Sequence, residues 1–157
     1  MNRRERLPFS ELHHIAVVVR DLTQAVKHYS SVGIGPFESY PPIRDYVRVN
    51  VPDESAFYDL QIRVAQIGPV SLQIIQPPEG RTIYGDFLES RGEGVFHLGF
   101  RVDDIEKEET YVKQLGLEVL SSGRRADGSG FTYFDTAAIG GIHLLIRQNP
   151  SEKKEGR

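Results

Sequence analysis

Apolar residues in this chain follow two rhythms, and each rhythm occurs twice. Residues 15–19, IAVVV, form a continuous apolar run that is β-branched except at Ala16, which predicts a strand covered on both faces. Asp21 then stands where a helix N-cap belongs, with Gln24 at the capping-box spacing. Leu22, Ala25, Val26 and Tyr29 follow at i, i+3, i+4 and i+7, one apolar face of a helix, and Gly33 is its stop. The pattern then returns 83 residues on: 14–37 lies over 97–120 without a gap. His14 falls on His97, Val19 on Val102, Asp21 on Asp104, Leu22 on Ile105 and Gly33 on Gly116. Glu108 and Glu109 replace Ala25 and Val26, so the second helix is expected to be the more exposed. A second match, GPVSLQIIQ at 68–76 over GGIHLLIRQ at 140–148, has an offset of 72.

After each helix the alternation predicts three strands, near 37–40, 58–67 and 70–76 in the first copy and near 117–122, 131–135 and 142–147 in the second. The unit is β-α-β-β-β, used twice. The expected fold is α+β: two tandem modules forming one cupped, half-barrel mixed sheet in a single domain over 1–157. Module one covers about 11–76, a linker 77–94, module two about 95–148, and a frayed tail 149–157. Pro77-Pro78 ends a strand, and residues 84–90 read as a short helix within the linker. His14 to Gln73 spans 59 positions and His97 to Leu145 spans 48, so module one carries eleven extra residues between Phe37 and Gly68. An irregular insert of that length is read as a lid or binding loop, or as a surface loop with no role. Gly128 and Gly130 in ADGSGF read as a hairpin turn and not a phosphate loop, since no helix with P-loop spacing follows.

Composition narrows the possibilities. The chain has no cysteine, which rules out disulfides and thiolate metal sites and is compatible with the cytoplasm. A net charge of −3 gives no reason to expect nucleic acid as a partner. No apolar run approaches the length of a membrane span, and the basic start MNRRERLPFS lacks the apolar core of a signal peptide.

The candidate chemistry sits at the head of each module. On a strand, alternate residues share a face, so His14 lies with Ala16 and Val18, and His97 with Gly99 and Arg101. The small neighbours leave room for a ligand. Gln73 lies on the last strand of module one, on the face of Ser71 and Ile75. If the modules pair by pseudo-symmetry, His14, His97 and Gln73 converge, and imidazole and amide oxygen suit a borderline divalent ion such as Zn, Ni, Co or Mn. Each residue also has a bland reading, as a hydrogen-bonded core histidine or a strand glutamine. The recurrence of histidine at one module position weighs against it. Arg101 could meet an acidic substrate group or pair with a neighbouring carboxylate. Tyr40, Tyr46, Tyr84 and Tyr133 could line an aromatic cleft or belong to the core, with Tyr84 counted as a substrate-binding candidate.

The segments HHIAVVVRDL, SLQIIQP and DFLESRGEGVFHLGFRVDDIE resemble the vicinal oxygen chelate superfamily, which includes glyoxalase I, bleomycin-resistance proteins, extradiol dioxygenases and methylmalonyl-CoA epimerase. The third segment is most similar to the epimerases and their glyoxalase-like relatives, and the resemblance covers about residues 12–148. It implies paired βαβββ modules and a homodimer acting on a small-molecule substrate, with His14, Gln73 and His97 as metal ligands. The family's fourth ligand, a glutamate, corresponds to Leu145, which cannot bind metal. His143, two residues earlier on the same face, is the candidate replacement, and Asp59 the nearest candidate for the epimerase base. The implied activity is a metal-dependent isomerase or lyase working through an enolate alpha to a carbonyl, methylmalonyl-CoA epimerase-like first and lactoylglutathione-lyase-like second. The alternative is a metal-free binding protein of the bleomycin-resistance type, favoured by an apolar Leu145 in the cleft. A ring-cleaving dioxygenase would need a carboxylate where Leu145 stands.

Overall fold

The computed structural model describes residues 7–151. Residues 1–6 of the basic start and 152–157 of the expected tail lie outside the described residues. In chain order the elements are β1 (Leu12–Val18), α1 (Leu22–Ser31), β2 (Glu38–Ser39), a 3-10 turn (Ile43–Asp45), β3 (Tyr46–Asn50), α2 (Glu54–Tyr58), β4 (Gln61–Ile67), β5 (Val70–Gln76), α3 (Ile83–Arg91), β6 (Gly94–Arg101), α4 (Ile105–Gln114), β7 (Val119–Arg125), β8 (Gly130–Phe134) and β9 (His143–Gln148).

All the strands join one mixed sheet in the order β2-β4-β5-β1-β6-β9-β8-β7-β3. It is curled and does not close into a barrel. The duplication explains most of this order. In the first copy β1 runs parallel to β5, which pairs antiparallel with β4 and through it with β2. In the second, β6 runs parallel to β9, which pairs with β8 and through it with β7. The copies meet within one chain along the antiparallel pair β1–β6, where Ile15 lies opposite Leu98. These two residues are themselves equivalent in the repeat, so a pseudo-twofold axis passes between them.

Both helices start by the same device. The Asp21 carboxylate accepts from Gln24 N at 3.0 Å, and that of Asp104 from Lys107 N at 3.1 Å. A glutamine at the end of each module's last strand supplies a second acceptor. Gln76 Oε1 takes Leu22 N–H at 2.8 Å, and Gln148 Oε1 takes Ile105 N–H at 3.0 Å. Amides that a helix's first turn leaves unpaired are thus tied to the strand it packs on. Contrary to expectation, α4 is not the more exposed helix: it buries Ile105 and Val112, whereas α1 fully buries only Leu22. Its glutamates face a buried cation. Arg124, with a side chain 6% exposed, pairs with Glu106 at 2.8 Å and with Glu109 at 3.4 Å.

The insert is ordered. β3 leaves module one and pairs antiparallel with β7, at the opposite edge of the sheet from β2. Residues 40–60 therefore cross from one edge to the other. They carry Tyr40, Tyr46, Phe57 and Leu60 onto the large apolar cluster that fills the concave side with Phe96, Phe131 and Tyr133. The strand expected from residue 58 begins at Gln61, because residues 54–58 form α2 under an Asp53 cap.

Candidate functional site

The register places the candidate residues. His14 lies opposite Gly99 across the β1–β6 pair, and His97 lies opposite Ala16. Each histidine thus faces the small residue of the other copy. On the outer sides, Gln73 pairs with Ala16 and Leu145 with Gly99. Paired residues share a face, so Gln73 reaches over Ala16 toward His97, and Leu145 over Gly99 toward His14. All four line one cavity on the concave side, together with Tyr40, Tyr46, Phe57, Tyr84, Phe131, Tyr133 and Arg147 among others. Its free volume is about 30 Å³, room for one or two waters.

His14 and His97 are 2% and 1% exposed, and their Nε2 atoms are 2.7 Å apart, a hydrogen bond. The His14 ring occupies the space that a side chain on Gly99 would need: a Cβ there would stand 2.1 Å from its Cε1. His14 Nδ1 is hydrogen-bonded in turn to His13 Nδ1 at 2.7 Å. Neighbours on a strand normally point to opposite faces, but the pairing shifts register between Leu12 and His14, and the bulged residue is His13. A second shift between Ala16 and Val17 bulges Phe96, the equivalent of His13 in the other copy. Both bulges bring a ring beside a cavity histidine.

Burial is the main reason these imidazoles stay neutral. It holds His14 well below the usual histidine range, with the neighbouring His97 and His13 adding to the effect. His97 is lowered to about 3 by burial and then by His143. His13 is lowered to about 4 by burial and then by the positive charges of Arg147 and Arg101. His97 Nδ1 is buried without a hydrogen-bond partner among the described residues.

The remaining candidates separate. Tyr84 lines the cavity, and its hydroxyl shares a 2.8 Å hydrogen bond with that of Tyr133. Arg101 stands outside the lining and pairs with Glu11 at 2.9 Å. Asp59 is exposed at the C-terminal end of α2, not on a strand facing the cavity. His143 is buried beside the rings of Phe87 and Phe96, accepts from Thr136 N at 3.4 Å, and does not line the cavity. Two residues not singled out from the sequence matter here. His13 is one, visible only once the bulge is known. Arg147 is the other. It lies two residues beyond Leu145 on the same strand face, a period-two signal that was available.

Two imidazole nitrogens and one carboxamide converge, the donor types a borderline ion prefers. The nitrogens must part by a few tenths of an ångström from 2.7 Å, because donors about 2.1 Å from one ion stand roughly 3 Å or more apart. All three donors are neutral, and no group of three or more His, Cys, Asp or Glu is placed to hold an ion among the described residues. The residues fit as a three-donor set whose fourth position, Leu145, is apolar.

A doubled βαβββ sheet with paired histidines at its centre defines the architecture. Residues 13–134 match the Glyoxalase/Bleomycin resistance protein/Dioxygenase superfamily, and the chain belongs to it. No curated protein matches the chain. Among solved structures, the chain is similar to methylmalonyl-CoA epimerase from Mycobacterium tuberculosis (17% identity, 96% of this chain and 95% of that one, TM-score 0.68). It is similar also to a Streptomyces coelicolor methylmalonyl-CoA epimerase variant in complex with 2-nitronate-propionyl-CoA (20% identity, 90% and 99%, TM-score 0.69). A hypothetical protein from Bacillus halodurans C-125 matches with 18% identity over 92% and 97% of the two chains, TM-score 0.66. At these identities the likenesses speak to the fold. No helix among the described residues is long and apolar enough to cross a membrane.

Proposed function

We propose that the protein is an isomerase or lyase that uses a divalent ion (Co, Ni, Zn or Mn) to stabilise an enolate alpha to the carbonyl of a small molecule. The convergence of His14, His97 and Gln73 on one cavity carries this reading. His14 and His97 would present Nε2, and Gln73 its carboxamide oxygen. When bound, the ion would supply Lewis-acid polarisation of the carbonyl. His13 holds the His14 ring by its Nδ1, as partners of metal-binding imidazoles do. Leu145, Phe131 and Tyr133 form the walls beside the three donors. The epimerase-like fold makes an acyl-CoA epimerase the first choice and a lactoylglutathione-lyase-like activity the second. A cytoplasmic homodimer belongs to the same reading.

The experiment begins with metal content after purification without chelator, and with uptake of added Co or Ni. Near-stoichiometric metal that disappears in His14→Ala and His97→Ala is the expected result. Exchange of the alpha proton of methylmalonyl-CoA in deuterated water then tests the first-choice substrate, and no exchange above background in metal-loaded protein removes it. Asp59, the candidate base, and His143, the candidate fourth ligand, stand outside the cavity, and among the described residues no carboxylate lines it. That observation, with Leu145 in the fourth position, favours the second reading, a metal-free binding protein of the bleomycin-resistance type. Protein that takes up no added metal but binds a ligand in this cavity would establish it.

A further inference from the structure

The cavity carries a charge that nothing in it balances. Among the described residues that line it only Arg147 is charged, and its side-chain hydrogen bonds there go to no carboxylate. Its Nε donates to Asn149 Oδ1 at 2.9 Å, and its Nη1 reaches the Tyr40 hydroxyl at 3.5 Å. The Tyr40 hydroxyl bonds that of Tyr46 at 2.8 Å, and Tyr46 receives Arg125 Nη2 at 2.9 Å. Two guanidinium groups thus bracket two phenol oxygens at the roof. They differ in their other neighbours. Arg125 contacts Ser129, whose hydroxyl donates to the Asp127 carboxylate, so an acid stands close to it. Arg147 lies opposite Arg101 across the β6–β9 pair, and the Glu11 carboxylate there is already held by Arg101 at 2.9 Å. A half-buried cation beside an apolar hollow costs free energy unless an anion meets it, and a guanidinium offers a planar fork that matches a carboxylate.

We propose that Arg147 is an anion anchor, and that the cavity takes a short-chain carbonyl compound bearing a carboxylate, held at the roof by Arg147 with the Tyr40 hydroxyl beside it. In naming a substrate class this deepens the proposed function, but it stands on the charge of the cavity and not on the ion. The carboxylate would displace the long Arg147–Tyr40 contact. The body of the ligand would lie toward His14, His97 and Gln73.

The test compares 2-oxobutanoate with its uncharged isostere 2-oxobutanamide by titration calorimetry. It is run on chelator-treated protein and on Co-loaded protein. The acid is expected to bind about tenfold more tightly or better in both forms, the factor typical of a charge-assisted hydrogen bond. Arg147→Gln should bring the ratio to near one, and Arg147→Lys should keep most of it. If Arg147→Gln does not fold, Arg147→Met, which retains the apolar stem, takes its place. Equal affinity for acid and amide, an acid preference that survives loss of the charge, or binding of neither compound at millimolar concentration overturns the proposal. A preference present in chelated protein that takes up no metal would sink the ion-dependent function and leave the anchor standing.

Discussion

Gly99→Ala is the sharpest test of the geometry. The added methyl would lie 2.1 Å from His14 Cε1 and 2.3 Å from its Nε2. Carbon atoms rest about 3.5 Å apart, so the ring must retreat by roughly 1.4 Å. That movement breaks the 2.7 Å bond to His97 and strains the 2.7 Å bond to His13. Overpacking a filled site costs about 1–3 kcal/mol, and buried nitrogens left unpaired cost about 1–3 kcal/mol more. The sum is about 2–6 kcal/mol, which in a chain of this size lowers Tm by roughly 5–20 °C. Thermal denaturation by circular dichroism gives the Tm, and imidazole nitrogen chemical shifts report the ring. A fall in Tm below about 2 °C with unchanged shifts would refute the placement of His14 over Gly99.

Leu145→Glu places a carboxylate at the fourth position. The metal-free variant is expected to be less stable than the parent, because an ionisable group replaces a side chain that is 3% exposed. Added Co or Ni should raise its Tm well above any shift seen in the parent, and equal shifts would count against the register. The metal-free protein should lose stability as pH falls below 6.5, the ordinary histidine value. His14 and His97 resist protonation when folded and accept it when unfolded, so the loss runs from 6.5 down toward the folded value of His97, about 3. These two protons alone give a slope of about 3 kcal/mol per pH unit, His13 adds to it above its folded value of about 4, and a flat profile of urea midpoints between pH 7 and 5 would contradict the burial. Gln76→Leu and Gln148→Leu should each cost about 1 kcal/mol by removing the second acceptor at the start of α1 and α4, and their costs should add. No loss in either variant would show that water replaces the glutamine.

The duplication was legible because it is written in residue types that have one structural use each. Asp21 and Asp104 cap helices, Gly33 and Gly116 lie close after them, and Ala16 and Gly99 are the small residues opposite the histidines. Gapless offsets of 83 and 72 carried the site's register with them. What lacked a repeat partner was harder to read. The segment YVRVN of β3 forms a strand only because the edge of β7, far along the chain, is available to it. A five-residue helix such as α2 has too few positions for periodicity to show. Asp59 therefore ends a helix that periodicity does not reveal. The burial of Arg124 under α4 depends on glutamates that, on the sequence alone, read as solvent-facing. The bulge at His13 is one extra residue in a continuous run, and no pattern of polarity marks it.

The dyad between Ile15 and Leu98 relates Gln73 to Leu145, yet one is an amide and the other a hydrocarbon. The two walls of the hollow therefore ask opposite things of a guest. A molecule turned end for end would set its oxygens against leucine and its methyl groups against glutamine. The backbone offers two equivalent orientations, and the unmatched pairs of side chains, Gln73 with Leu145 and Ile75 with Arg147, leave one of them in use.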